Sequence, residues 1–369
     1  MRARFAVFVL IIQAILLWAH WFIYGTWVSF RGISGSPEST QLRVIAGVLA
    51  FTFVAATLLA HRSRSRPVKF FYKAAAAWLG TVNFLFLAAC VSWIVWIVAS
   101  LAGIPLSRSS VVTFTYAVAV VASLYGIVNA RWLRVRRIQV KLPNLPESWR
   151  GRVAALASDL HLGHVNGIGF LQRIVARLTR LAPDVVFLTG DLYDGTKVDP
   201  SEVTAPLRKL SPPLGAYFVT GNHEEFSDPS GYLKAVHSSG VRVLNGEKVT
   251  VDGLQIVGVP YHQTVNPQHF QAALERAEIE RGRPSVLLSH APHALPSAEQ
   301  AGISMQLSGH THGGQIFPFT WFTRRIFRAY TYGLQRFRDM LVYTTTGAGT
   351  WGPPMRVGAA PEIVLIEFV

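Results

Sequence analysis

Cysteine is nearly absent from this chain, which has one, Cys90, in 369 residues. A single cysteine excludes an internal disulfide and a cysteine-based zinc site. Acidic residues are nearly absent from residues 1–146, which hold 15 Lys or Arg and one acid, Glu38; residues 147–369 hold 20 Lys or Arg and 19 acids. The net charge of +15 therefore lies almost wholly in the first part, between long apolar runs, and we expect no nucleic-acid partner.

Charged residues are missing from four long stretches of the first part. An uncharged apolar run of about 18 or more residues predicts a membrane-spanning helix, because lipid leaves the backbone few other ways to satisfy its hydrogen bonds. We therefore predict four transmembrane helices within residues 1–130 and a basic linker over 131–150. Buried core helices are the alternative, but such helices normally carry a polar stripe, which these runs lack. The runs are Phe5–Phe30, Val44–Ala60 (short for a span), Ala74–Ser107 (too long for one span, with Gly103 and Pro105 marking its end) and Ser109–Ala130.

The basic residues of the loops lie mostly on one side of the predicted membrane region. The stretches before the first span, between the second and third, and after the fourth hold 12 Lys or Arg, against 3 in the other two loops. Because basic loops stay in the cytoplasm, we predict a multi-pass protein of the plasma (inner) membrane with both termini cytoplasmic. We expect Phe5–Phe30 to be a span and not a signal peptide, since three more spans follow and no small-residue cleavage site is evident.

From residue 151 onward, short β-branched runs alternate with helical stretches. In Phe170–Leu181 the apolar residues fall at helical spacing. This alternation predicts a layered α/β domain over residues 151–369. The predicted strands are Val153–Ser158, Val185–Thr189, Ala216–Thr220, Gln255–Val259, Val286–Ser289, Met305–Ser308, Leu341–Thr345 and Ile363–Phe368.

Carboxylates, imidazoles and one amide stand directly after five of these strands, where layered α/β folds bind their ligands. Without a thiolate, this set suits borderline divalent metals such as Mn, Fe, Zn or Co better than Ca or Mg. Six or seven such groups exceed the need of one metal and predict a pair, which would clamp phosphate oxygens and activate a water. Each motif alone is weak, since an isolated histidine is more often structural. The residues are Asp159 and His161, Asp191 and Asp194, Asn222 and His223, His290, and His310 and His312.

In this order, the motifs resemble those of the calcineurin-like metallophosphoesterases over about residues 150–369. The family pattern Asp-x-His, Gly-Asp-x-x-Asp, Gly-Asn-His-(Asp/Glu), His and Gly-His-x-His is complete here. Details such as Gly-His-Thr-His-Gly-Gly-Gln-Ile-Phe-Pro and Arg356 are similar to a membrane-associated bacterial subgroup that includes phosphodiesterases and UDP-2,3-diacylglucosamine pyrophosphatases. The resemblance implies a layered α/β/β/α sandwich and a metal-dependent hydrolase of phosphoric esters or anhydrides. It implies nothing about the four spans.

The resemblance also assigns roles residue by residue. It implies that Asp191 bridges two divalent metal ions. It places His223 near the leaving oxygen, as a general acid or as a cation facing phosphate, with Asp194 holding the imidazole and keeping it protonated. The first metal would be held by Asp159, His161, Asp191 and His312, and the second by Asp191, Asn222, His290 and His310.

The predicted function is that of a membrane-anchored dimetal phosphoesterase that cuts a phosphodiester or pyrophosphate bond. A lipid-linked substrate such as UDP-2,3-diacylglucosamine is favoured, because four spans raise the effective concentration of the site near lipids. Two alternatives stay open: a hydrolase of soluble phosphoesters or nucleotides, and a membrane sensor with a vestigial hydrolase domain. The intact ligand set argues against the sensor.

Two features near the motifs allow more than one interpretation. Pro318–Phe337 mixes aromatic residues with arginines: either the aromatics pack in the core, or the segment is an amphipathic lid in the lipid headgroup layer. Glu224 either orients its neighbours or is solvated. Among the remaining histidines, His164 could contact the substrate phosphate, and we expect His293 to be structural.

Overall fold

The computed structural model describes residues 2–226 and 228–369, which form two compact units. One unit comprises Met1–Val128 with Gly352–Met355, and the other comprises Asn129–Trp351 with Arg356–Val369. The first is built on long apolar helices, and the second on two β-sheets with helices.

Four long helices form the first unit, and each is long and apolar enough to cross a membrane. Large apolar side chains such as Leu10, Val48 and Phe114 are exposed, as expected for helices that face lipid. The prediction of four apolar helices is confirmed, although the second and third begin before their uncharged runs. The helices are α1 (Arg2–Arg31), α2 (Pro37–Ala60), α3 (Arg66–Leu101) and α4 (Arg108–Arg131).

Polar side chains within this unit pair with one another between helices. Trp78 Nε1 of α3 donates to His20 Nε2 of α1 at 2.9 Å, and Trp93 Nε1 donates to Thr26 Oγ1 at 3.0 Å. Lipid offers these groups no hydrogen-bond partner, so pairing across helices stabilises the bundle.

The second unit alternates strands and helices through most of its length. Its strands are β1 (Arg134–Val140), β2 (Val153–Ala157), β3 (Val185–Thr189), β4 (Ala216–Val219), β5 (Arg242–Val243), β6 (Glu247–Val251), β7 (Leu254–Val259), β8 (Ser285–Ser289), β9 (Met305–Ser308), β10 (Gly333–Phe337), β11 (Met340–Thr344) and β12 (Glu362–Phe368). Its helices are α5 (Ile168–Leu181), α6 (Pro200–Thr204), α7 (Ser230–His237), α8 (Tyr261–Thr264), α9 (Pro267–Arg276), α10 (Leu295–Gln300) and α11 (Phe319–Phe327).

The strands form two six-stranded sheets. The first has the order β1-β12-β2-β3-β4-β5, and the second has the order β10-β11-β9-β8-β7-β6. Strands β2 to β5 run parallel to one another, with Ala154 opposite Val185, and so do β7, β8, β9 and β11. Parallel strands bring their carboxyl ends to one edge of a sheet, and the candidate site lies after those ends.

Apolar side chains of both sheets meet in a common core, which includes Leu156 and Leu288. The other face of the first sheet packs against α5 through Leu171 and Ile174, and the other face of the second packs against α9 through Phe270. These contacts give four layers, α/β/β/α, and confirm the predicted fold class.

Residues 131–150, which we expected to form a linker, contain a strand of the first sheet. β1 pairs in parallel with β12, with Arg134 opposite Glu362 and Val140 opposite Phe368. The partners are more than 200 residues apart in the chain, so local sequence patterns could not indicate the pairing. The short β5 and the edge strands β6 and β10 also lay outside the predicted strands.

Candidate metal centre

The loops that leave five parallel strands carry the predicted ligands to one place. β2, β3 and β4 of the first sheet and β8 and β9 of the second supply these loops. Two triplets of ligand atoms, Asp159 with His161 and His312, and Asp191 with His290 and His310, are linked by a third triplet of His161, Asp191 and His223. The Asp191 carboxylate thus lies between the two groups. The predicted ligands are Asp159, His161, Asp191, Asn222, His290, His310 and His312.

The first group joins the loops after β2 and β9. His161 Nε2 lies 3.0 Å from His312 Nε2, and His312 Nε2 lies 3.3 Å from Asp159 Oδ1. His161 Nε2 is also 3.7 Å from Asp191 Oδ2. All four side chains are buried. Two imidazole nitrogens and two carboxylates around one point are a suitable donor set for a divalent cation.

The second group joins the loops after β3, β4, β8 and β9. His290 Nε2 lies 3.2 Å from Asp191 Oδ2 and 3.2 Å from Asn222 Oδ1. His310 Nδ1 lies 2.9 Å from Asn222 Oδ1 and 3.2 Å from His290 Nε2. The structure therefore brings together all seven residues that the sequence proposed as ligands.

The hydrogen bonding of His290 indicates that a positive charge belongs in the second group. Its Nδ1 lies 2.7 Å from the carbonyl oxygen of Thr189, which can only accept, so Nδ1 carries a hydrogen. In the neutral ring, Nε2 then directs a lone pair at the oxygens of Asp191 and Asn222. This arrangement is repulsive unless a proton or a metal ion lies between Nε2 and those oxygens. Although burial lowers the pKa of His290, the Asp191 carboxylate raises it to about 10 overall. The donor set thus fits a cation.

Burial and charge act in opposite directions on the two carboxylates. Burial would raise the pKa of Asp191, but the neighbouring His290, His161 and His223 hold it well below its usual range. For Asp159 burial prevails and raises the pKa to about 6. Asp191 is therefore the carboxylate that stays ionised, which suits a ligand shared between two cations.

The backbone is in the left-handed region at several ligands. Residues with side chains rarely adopt this conformation, and clusters of them are typical of functional sites, where surrounding contacts hold the strain. Here they turn side chains two residues apart in the chain into the same site. The residues are Asp159 (φ 53°), His161 (47°), Asp191 (50°), His310 (68°) and His312 (49°).

Two motif glycines are required because a carboxylate lies against them. A Cβ at Gly221 would be 2.1 Å from Asp191 Oδ1, and a Cβ at Gly309 would be 2.2 Å from Asp159 Oδ2. A side chain at either position would displace a carboxylate, so the glycines of Gly-Asn-His and Gly-His-Thr-His belong to the geometry of the site.

Glu224 orients its neighbours, which settles one of the alternatives left open by the sequence. Its Oε2 accepts from the main-chain N–H groups of Asp191 (3.0 Å) and Gly221 (2.7 Å), and its Oε1 accepts from that of Tyr193 (3.0 Å). The side chain is fully buried, and burial together with the charge of Asp191 raises its pKa to about 7. This carboxylate ties the loop after β3 to the loop after β4.

Arg356 similarly orients His312. Its guanidinium is fully buried and donates to the carbonyl oxygen of His312 at 3.0 Å and to that of Gly349. The nitrogen that donates to Gly349, Nη2, also lies 3.3 Å from His312 Nδ1. Burial lowers the pKa of Arg356 to about 10. The sequence singled out this arginine only as part of the resemblance, because nothing local indicates that it reaches back over 44 residues.

His223 lies at the edge of the site, but its contact with Asp194 differs from the prediction. Nδ1 of His223 is 3.1 Å from the main-chain carbonyl oxygen of Asp194, whereas Asp194 Oδ1 accepts from the main-chain N–H and the hydroxyl of Thr196. The expectation that the carboxylate keeps the imidazole protonated needs correction, because burial lowers the pKa of His223. Its Nε2 faces Asp191 Oδ2 at 3.9 Å.

Aromatic side chains that the sequence did not single out flank His223. The rings of Phe226 and Trp351 lie 4.6 and 5.8 Å from its ring, and both side chains are largely exposed. Of the other histidines, His164 is buried with Nδ1 3.0 Å from Thr196 Oγ1, and His293 stacks on Phe327 at 5.8 Å.

Comparison with known proteins identifies the family of the domain. The model of the calcineurin-like phosphoesterase family matches residues 153–314. A transmembrane protein with metallophosphoesterase domain from Danio rerio is 36% identical over 264 residues, which are 67% of this chain and 60% of that protein. An uncharacterized metallophosphoesterase from Aquifex aeolicus is 30% identical over 256 residues, which are 68% of this chain and 97% of that protein.

Among solved structures, a dimetal phosphatase from Danio rerio matches with a TM-score of 0.33 and 12% identity, covering 54% of this chain and 88% of that one. The chain spans about 60% of the length of the first curated relatives it matches. The Aquifex aeolicus relative, by contrast, is matched over nearly its whole length at 30% identity. The chain belongs to the calcineurin-like metallophosphoesterase family.

Proposed function

We propose that this protein hydrolyses a phosphodiester or pyrophosphate bond with the help of two divalent metal ions. The observation that carries the proposal is the pair of donor groups that share Asp191, with His161 and His312 on one side and His290 and His310 on the other. A binding module or a vestigial sensor has no need of two donor groups with a common anion.

The donor set supports a division of the ligands into two sites. One ion would be held by Asp159, His161, Asp191 and His312, and the other by Asp191, Asn222, His290 and His310. Imidazoles with hard oxygen donors suit Mn, Fe, Zn or Co. When bound, such ions neutralise phosphate oxygens and lower the pKa of water at the site.

His223 is the residue of the chain best placed to move a proton to the leaving group. Because the Asp194 carbonyl oxygen accepts from Nδ1, the Nε2 atom is the one that faces the site. Since Nδ1 keeps its hydrogen on that carbonyl oxygen, Nε2 carries a proton only in the imidazolium form. Burial disfavours this form and the nearby Asp191 carboxylate favours it. The proton on Nε2 can then pass to the oxygen of the leaving group. Asp194 acts through its main chain as a positioning residue for this ring.

We further propose that the substrate is lipid-linked and is met at the cytoplasmic face of the plasma membrane. Four helices long enough to span a bilayer support this, because they raise the concentration of the site near lipids. The loop charges, 12 basic residues against 3, support the cytoplasmic orientation. UDP-2,3-diacylglucosamine is the specific candidate, taken from the bacterial subgroup that the motifs resemble.

The test uses the full-length protein, stripped of metal with a chelator and assayed on an aryl phosphodiester with and without Mn²⁺. We expect no turnover without metal, recovery with Mn²⁺, and almost complete loss in Asp191→Asn, because both sites lose their shared anion. Asp252→Asn, at a surface ion pair with Arg152, is the matched control and should behave like the wild type. Undiminished turnover in Asp191→Asn with its metal content intact would refute the two-metal proposal.

The same preparation in lipid nanodiscs distinguishes the substrate classes. A panel of lipid-linked pyrophosphates, phospholipids and nucleotides should show preferential cleavage of a lipid-linked member. Preferential cleavage of soluble nucleotides would contradict the lipid assignment and leave the reaction class intact.

A further inference from the structure

Helix α11 presents its large apolar side chains to the outside of the domain. Ile326 is 72% exposed, and Phe319, Trp321 and Phe322 are each about half exposed. The small Thr320, by contrast, is buried. An amphipathic helix on a water-soluble domain has the opposite arrangement, with its apolar face in the core. The exposed face therefore indicates an apolar environment outside the domain.

The charge of this region has one sign. Residues 317–338 contain five arginines and no aspartate or glutamate. Three of them, Arg324, Arg325 and Arg328, are exposed on or directly after α11, and the Arg325 guanidinium lies 4.9 Å from the centre of the Trp321 ring. Aromatic side chains interleaved with arginines are typical of segments that lie in the headgroup layer of an anionic membrane.

The two ends of α11 are attached to the segment that carries the last two candidate ligands. At its start, a Cβ on Gly314 would lie 2.4 Å from Thr320 Cα, so the helix packs directly on the Gly-His-Thr-His-Gly-Gly segment. At its end, the ring of Phe327 lies 6.1 Å from that of the candidate ligand His310. Whatever the outer face of α11 contacts is therefore next to the metal centre.

We propose that the outer face of α11 and the residues beside it bind the surface of an anionic lipid bilayer. The helix contributes Phe319, Trp321, Phe322, Arg324, Arg325 and Ile326, and Phe317 and Arg328 lie just before and after it. The arginines contact lipid phosphates, and the apolar side chains enter the layer below them. The connection to the membrane region is short, since β1 begins three residues after α4 ends, which keeps a bilayer within reach of the domain. A bilayer is favoured over a second copy of the chain because the apolar face carries only positive charge, which complements lipid phosphate and would repel an identical face.

The interpretation that the aromatic residues of Pro318–Phe337 pack in the core needs correction for the helical part of the segment. The exposed side chains of α11 do not pack in the core, whereas Tyr330 and Phe337 do pack against the core beneath the second sheet. The helical part of the segment is therefore the part that we assign to the membrane.

The test measures contact with lipid without any catalytic readout. Cysteine is introduced at Ile326 in a Cys90→Ser background, labelled with an environment-sensitive fluorophore, and the full-length protein is placed in nanodiscs of phosphatidylcholine and phosphatidylglycerol. Some of the lipids carry a nitroxide near the top of the acyl chain. The matched control is Ala272→Cys, at an exposed position on α9, and melting temperatures establish that both labelled proteins are folded.

We expect the nitroxide to quench the label at position 326 severalfold more than the label at position 272. Replacing Arg324, Arg325 and Arg328 by glutamine should reduce that quenching. Equal quenching at the two positions would overturn the proposal. A blue-shifted but unquenched label at position 326 would overturn it as well, since protein and not lipid would then cover the face.

A consequence for substrate choice rests on the proposed function and has its own test. Trp321→Ser with Phe322→Ser should lower the rate on a lipid-linked substrate and leave the rate on a soluble phosphodiester unchanged. Equal losses on both substrates with a lower melting temperature would assign these residues to stability alone. Because the quenching experiment needs no turnover, it can succeed or fail independently of the proposed chemistry.

Discussion

Replacing Glu224 by glutamine removes a buried charge while keeping the shape of the side chain. In the wild type its two oxygens accept from three main-chain N–H groups, those of Asp191, Gly221 and Tyr193. If the amide oxygen of glutamine takes the place of Oε2, the bonds from Asp191 and Gly221 persist in weaker form. The amide nitrogen then faces the N–H of Tyr193, donor against donor.

The free energy of unfolding should change little, because two effects of similar size oppose each other. Losing one hydrogen bond to a charged group costs about 1.5–3 kcal/mol, and weakening two others costs about 1 kcal/mol each. Keeping a carboxylate ionised in this site costs about 3 kcal/mol, since its pKa is raised from 4.5 to about 7. Glutamine avoids that cost, so we expect a net change within about 2 kcal/mol.

Metal affinity, in contrast, should fall. Glu224 holds the main chain of Asp191 in the left-handed conformation that directs its carboxylate at both donor groups. Loss of a partner that orients a ligand costs roughly 10–100-fold in metal affinity. The assays are titration of the metal-stripped protein with Mn²⁺ by calorimetry, and thermal melting of the same samples.

Glu225→Gln is the matched control for Glu224→Gln. The carboxylate of Glu225 accepts from the Thr220 hydroxyl at 2.6 Å and from the main-chain N–H of His262 at 2.7 Å, and it touches no candidate ligand. Its metal affinity should equal that of the wild type. Wild-type affinity in Glu224→Gln, or an equal fall in both variants, would refute the reasoning.

Two further predictions concern the proton donor and the topology. His223→Ala should keep its metal ions and lose roughly 10²–10⁴-fold in kcat, with a smaller loss for substrates that have good leaving groups. Metal analysis and kinetics with a series of aryl phosphodiesters check this. Loss of a metal ion from the variant would show that the role of His223 is misassigned. A reporter fused after Val369 should behave as a cytoplasmic fusion, and a periplasmic readout would reverse the orientation proposed from the loop charges.

The site could be found from the sequence because its ligands stand next to strands that are recognisable locally. Val185–Thr189 and Met305–Ser308 are short, apolar and followed by polar motifs, and the strands have the predicted bounds. Parallel strands of the first sheet then bring the motifs of Asp159 and Asp191 to one edge, whereas His310 reaches them because the second sheet packs against the first.

The parts that the sequence did not indicate depend on contacts between distant segments. The alternation of arginines and apolar residues in Arg134–Val140 fits an edge strand. Because the segment follows the apolar spans, the sequence alone indicates that its arginines are basic loop residues that set the orientation in the membrane. The roles of Glu224 and Arg356 arise from burial against the backbone of other loops, and no local pattern shows that a charged side chain will be buried. Trp351 likewise reaches His223 only through the folding of the chain.

Counting metal ions in the purified full-length protein tests the central claim most directly, that two donor groups share the Asp191 carboxylate. Elemental analysis of protein saturated with Mn²⁺ and then freed of unbound metal should give two ions per chain in the wild type and at most one in Asp191→Asn. Two tightly held ions in Asp191→Asn, or a wild-type protein that binds a single ion at saturation, would contradict it.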